Sequence, residues 1–99
     1  MNRPDMRHLL PALRDIGFHL WDPLGLCAAW QEGEAMADEY DSYLMRAYSA
    51  AVNGNGREVI CAVLRQAEAA MGLPDAGTTD RHMTVAQAVL DLADDDLFR

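Results

Sequence analysis

Few side chains in this sequence could do chemistry, and their spacing says which kinds. Three histidines (His8, His19, His82), two cysteines (Cys27, Cys61), two serines on one helical pattern (Ser42, Ser49) and a run of carboxylates from Asp22 to Asp41 are the candidates. His8 and His19 stand about three helical turns apart, too far to ligate one ion. The sequence contains no His-Glu-x-x-His, no paired-cysteine metal motif, no glycine-rich phosphate loop and no nucleophile elbow. The cysteines lie far apart in no metal-type spacing, and read as two small buried thiols in a reducing compartment. No catalytic residue, metal ligand or cofactor is assigned on these grounds.

The carboxylates support two readings. Glu34, Asp38, Glu39 and Asp41 fall where a helix should begin, and negative charge there complements the helix dipole. Asp38 and Asp41 are neighbours on a helix face, as are Glu34 and Asp38. Tyr40 and Tyr48 share a stripe with Leu44 and belong to the core, with a wet hydroxyl tip. Tyr43 is rotated away from that stripe, between Glu39 and Arg46, and is the best candidate for an exposed contact. The leading reading is therefore a binding domain whose acidic-aromatic face (Glu34, Asp38, Glu39, Asp41, Tyr43) docks on a basic protein. The alternative is a small enzyme or a ligand- or metal-binding domain in which Asp22, Asp38 and Asp41 cluster beside Trp21 and Trp30. A homodimer formed through exposed aromatics is a third reading.

Composition narrows the class of partner. Eight arginines and no lysine stand against sixteen acidic residues, for a net charge of −8 over 99 residues. Such a balance opposes nucleic acid, which needs a clustered positive surface, and anionic membrane. It favours solubility and suits a cationic protein. The length fits one domain, residues 1–99. The N-terminal stretch lacks the apolar core of a signal peptide and no segment is long enough to span a bilayer, so the expected location is the cytoplasm.

Hydrophobic periodicity gives the elements that must position these residues. Met6, Leu9, Leu10, Leu13, Ile16 and Leu20 recur at helical steps and predict a helix over 5–20, with Pro11 its weak point. Trp21-Asp22-Pro23-Leu24-Gly25 then reads as a structural corner. The residue before a proline leaves the helical region, the Asp22 carboxylate can accept downstream amides, and Gly25 tolerates positive φ. A second helix is predicted over 35–52, with Met36, Tyr40, Leu44, Ala47, Tyr48 and Ala51 inward, ended by Asn53-Gly54-Asn55-Gly56. A third over 57–71 carries Val59, Ile60, Val63, Leu64, Ala67 and Met71 inward and closes at Gly72 before Pro74. The fourth, over 80–93, starts from a cap at Thr79 or Asp80. Fraying is expected at Asp94-Asp95-Asp96, which places charge at the unfavourable end of the dipole. No period-two alternation stands out. The fold class is all-α: a small irregular four-helix domain.

Trp21-Asp22-Pro23-Leu24-Gly25, Asp38-Glu39-Tyr40-Asp41-Ser42-Tyr43 and Met71-Gly72-Leu73, in that order, resemble a family of short uncharacterised bacterial proteins with W-D-P-[IL]-G, D-E-Y-D-x-Y and M-G-L motifs. The resemblance implies a cytoplasmic, soluble all-α protein of about this length, without an activity attached. Some short acidic proteins with such patterns resemble immunity proteins of toxin systems, which by analogy would make the basic partner a nuclease-type toxin. At Asn53-Gly54-Asn55-Gly56-Arg57 the chain departs from the Gly-x-Ser/Thr helix start of the family.

Overall fold

The computed structural model describes residues 6–31, 38–75 and 77–97, and every regular element among them is helical. Helix α1 (Met6–Asp15) runs into a six-residue π-helical segment, Ile16–Trp21. A five-residue helix α2 (Cys27–Gln31) follows the corner. Three longer helices complete the chain: α3 (Asp41–Val52), α4 (Arg57–Ala70) and α5 (Asp80–Leu97). Helices α3, α4 and α5 pack against one another, α5 also lies on the π segment, and α1 rests on α3.

The first helix continues through Pro11, which is exposed, so the ring occupies the solvent side. What interrupts regular geometry is the π segment. Its closing bond runs from Asp22 N–H to the Gly17 carbonyl at 2.6 Å, five residues back. The widened turn rotates the following side chains relative to an α-helix. The α period placed Ile16 and Leu20 inward. Instead Gly17, Phe18 and Trp21 are buried, Ile16 is half-buried and Leu20 is 41% exposed.

Gly17 is where this segment meets the side chains of Tyr40 and Leu44. A Cβ built there would lie 2.7 Å from Leu44 Cδ1 and 3.4 Å from Tyr40 Cβ. A residue with a side chain there would press on the Leu44 side chain, which fills the space glycine leaves.

The second long helix begins later than its pattern suggests. Residues 38–40 form a turn, closed by Asp41 N–H to the Asp38 carbonyl at 3.1 Å, and the helix starts at Asp41. Glu34 and Met36 lie outside the described residues. Val59, expected inward, is 44% exposed, while Ile60, Leu64 and Ala67 form the inner stripe of α4 together with Cys61. Helix α4 ends in a Schellman arrangement: Gly72, at φ 84°, donates to Ala69 O, and Leu73 N–H donates to Glu68 O, both at 3.0 Å.

Helix α5 extends to Leu97, past the predicted end near Ala93; Val85, Ala86, Val89 and Ala93 make its inner face, while Asp94 and Asp95 are exposed. Solvent screens the repulsion between their charges and the dipole there. The buried apolar residues form one cluster, from Leu9 and Leu13 through Phe18, Trp21, Tyr40 and Leu44 to Val89 and Ala93. Among the described residues no helix is long and apolar enough to cross a membrane.

Candidate functional site

The polar side chains of the corner converge on two carboxylates. The first is Asp22, which ends the π segment in the left-handed conformation (φ 38°, ψ 57°). Aspartate adopts that region more readily than most residues because its short side chain bonds locally. Here Oδ1 accepts from Leu26 N–H at 2.7 Å and Oδ2 from Cys27 N–H at 3.1 Å, which satisfies two amides at the start of α2. The Tyr40 hydroxyl donates to Asp22 Oδ1 at 2.9 Å and accepts from Leu24 N–H at 3.1 Å. Tyr40 is 1% exposed, and burial pushes its phenol above its ordinary value, with the nearby Asp22 charge acting in the same direction. The expectation of a core tyrosine holds, but its tip is not wet: the hydroxyl is taken up by Asp22 and Leu24 inside the fold.

The second carboxylate is Glu68, near the end of α4. Its Oε2 accepts from the Trp21 indole N–H at 2.9 Å, and both of its oxygens lie 2.9 Å from His82 Nε2. Thr79 N–H donates to His82 Nδ1 at 2.9 Å, and His82 N–H reaches Thr79 Oγ1 at 3.4 Å. This is a reciprocal capping box at the start of α5, with histidine in the place usually held by Glu or Gln. It also assigns the imidazole: Nδ1 accepts, so Nε2 carries the hydrogen donated to Glu68. His82 is 4% exposed. One carboxylate thereby ties together the corner, α4 and α5.

Asp41 is engaged elsewhere. Arg14 grips it from α1 with two bonds, Nε to Oδ1 at 3.2 Å and a terminal nitrogen to Oδ2 at 2.8 Å. That carboxylate holds the Arg14 guanidinium above its ordinary value. Asp22 caps α2 and Asp41 pairs with α1, so each carboxylate serves its own closure, while Asp38 is exposed on the turn between them. Among the described residues no group of three His, Cys, Asp or Glu side chains is arranged to hold a metal ion.

The acidic-aromatic face is divided in the same way. Asp38 and Glu39 are exposed; Asp41 is half-buried under Arg14; Glu34 lies outside the described residues. Tyr43 is half-buried and packs edge-on against Trp21, with ring centroids 6.4 Å apart and planes at 78°. In the corner, Trp21 is the buried anchor, Asp22 the amide acceptor and Gly25 a positive-φ hinge at 70°, whereas Leu24 is 38% exposed. Pro23 is half-buried.

Glu68 escaped sequence reasoning, and His82 was singled out only as one of three histidines, without its partner. Glu68 stands at the edge of the α4 inner stripe, four residues after Leu64, but nothing in its spacing points to His82. One signal was legible: Thr79 and His82 stand in the Ncap and N3 relation of a capping box. Comparison of the chain with protein-family models, with curated proteins and with solved structures returns no match.

Proposed function

We propose that this chain is a small acidic four-helix module that binds a basic protein partner through the turn and first helical residues around Asp38, Glu39, Asp41 and Tyr43. The observation that carries the reading is the division of labour among the carboxylates. Asp22, Glu68 and Asp41 are each tied into the fold, while Asp38 and Glu39 stand exposed beside a half-buried tyrosine, in a chain of net charge −8. Exposed like charges near an aromatic rim speed encounter with a cationic surface and make it salt-sensitive. Tyr43, held by Trp21, offers area at little entropic cost. A cytoplasmic setting and an immunity-like role against a cationic toxin extend the same reading, and rest on the resemblance of the corner, the Asp38–Tyr43 run and the Met71-Gly72-Leu73 helix end.

The test is affinity capture from the native host at low salt, followed by measured binding of the captured basic protein at low and high salt. The expected result is affinity that falls steeply with salt and with the double substitution Asp38→Asn, Glu39→Gln. A partner indifferent to both would overturn the proposal.

A further inference from the structure

A thiol and an imidazole meet outside the closures described above. Cys27 Sγ lies 3.8 Å from His19 Nδ1. The sequence suggested two buried thiols, yet only Cys61 is buried; Cys27 is half-buried and His19 is exposed. The π turn is what brings His19 to this side, by rotating it outward. Its ring is held edge-on to Trp30, with centroids 5.3 Å apart and planes at 71°, and Trp30 stacks on the buried Phe18 at 4.6 Å and 6°. The imidazole is thus placed by a rigid aromatic stack.

The pair opens onto a cleft of about 330 Å³ whose walls include Leu20, Asp22 and Arg81. The oxygens of Asp22 already accept from Leu26 N–H, Cys27 N–H and the Tyr40 hydroxyl. Arg81 reaches the Trp21 carbonyl with one nitrogen at 3.5 Å, and a guanidinium carries five donors in all. A carboxylate entering the cleft therefore has a cation to meet.

We propose that Cys27 and His19 form a thiol–disulfide exchange site for small anionic disulfides, with Arg81 binding a carboxylate of the incoming molecule. The thiol proton passes to His19, and Cys27 Sγ attacks one sulfur of the disulfide. The new sulfur–sulfur bond forms as the old one breaks, and the electron pair leaves with the departing thiolate, which takes the proton from the imidazolium. Cys27 is oxidised to a mixed disulfide and one half of the reagent is reduced to a thiol. Cys61 is the internal contrast: it is 2% exposed, its Sγ points at Met83 Sδ at 3.6 Å, and burial pushes its thiol above its ordinary value.

The experiment treats the full chain with glutathione disulfide or with the cationic disulfide cystamine, and follows adducts by intact mass and peptide mapping across pH. The expected product is a single glutathione adduct on Cys27. His19→Asn should slow it by about three- to tenfold at neutral pH, with the difference closing at alkaline pH where the thiolate forms unaided. Arg81→Gln should slow glutathione disulfide but not cystamine. Both substitutions are at exposed positions, and continued protection of Cys61 reports an intact core. Equal labelling of the two cysteines, a His19→Asn pH profile matching the wild type, or an Arg81→Gln effect shared by both disulfides would overturn the assignment.

Discussion

The Trp21 indole donates to Glu68 Oε2 at 2.9 Å across 47 positions of sequence, and the same carboxylate receives His82 Nε2 at 2.9 Å. Removing Glu68 strands two buried donors at once. Glu68→Ala is expected to cost about 2–6 kcal/mol, since each unsatisfied buried group costs about 1–3 kcal/mol. Trp21→Phe and His82→Phe should each couple to Glu68→Ala by about 0.5–3 kcal/mol in double-mutant cycles, because their bonds share that acceptor. Urea unfolding of the wild type, the three single and the two double variants measures both quantities. A Glu68→Ala midpoint indistinguishable from wild type would mean that water replaces the carboxylate without loss.

The reciprocal bonds between Thr79 and His82 make a second, separable prediction. Thr79→Ala removes the side-chain acceptor for His82 N–H but keeps the main-chain donor to Nδ1. The loss should be that of an ordinary helix cap, about 1 kcal/mol. Nitrogen-15 spectra should show His82 Nδ1 as the unprotonated ring nitrogen and Nε2 as the protonated one. The opposite tautomer would break the network as described.

These networks explain which parts of the structure were legible in the sequence. Residues that repeat with a helical period and stay on an α-helix, such as Leu44, Tyr48, Ile60, Leu64 and Val89, announce their burial. The π segment defeats the same reasoning, because one wide turn shifts the register, burying Phe18 and Trp21 and exposing Leu20. Asp22 and Tyr40 were partly legible, since an aspartate before a proline has a local role and the helical stripe puts Tyr40 in the core. That they partner each other is a tertiary fact. Glu68 gave no local sign, and the continuation of α5 past Ala93 depends on packing that local charge does not encode.

Gly17 tests how closely the π segment packs on the Leu44 side chain. Its backbone is not in the left-handed region, so alanine there meets a steric rather than a conformational obstacle: Leu44 Cδ1 at 2.7 Å from the new Cβ. Leu44 is fully buried and has little freedom to retreat. Gly17→Ala should destabilise by about 1–3 kcal/mol as an overpacking change. A second substitution, Leu44→Ala, should relieve the clash while opening a cavity, so the double variant should fall short of additivity. Thermal or urea unfolding of the single and double variants decides it, and full additivity would show that the two positions do not collide.

Tyr40 supplies a pH dependence whose sign follows from its surroundings. Its phenol is buried, donates to Asp22 Oδ1, and is held above its ordinary value of 10.0. The folded state therefore keeps the proton more tightly than the unfolded chain does. That contribution is fully present below the unfolded value, and is lost as pH rises above about 10 toward the folded one. The urea midpoint should fall over that range in the wild-type protein. Tyr40→Phe should be less stable at neutral pH, since Asp22 Oδ1 loses a donor and Leu24 N–H an acceptor. It should also show a shallower alkaline decline. Absorbance near 295 nm gives an independent check: at pH about 10.5, unfolding should raise the tyrosinate signal of the wild type by more than that of Tyr40→Phe. A Tyr40→Phe variant with the same alkaline slope as wild type would show that the phenol proton is not what ties the corner to the start of α3.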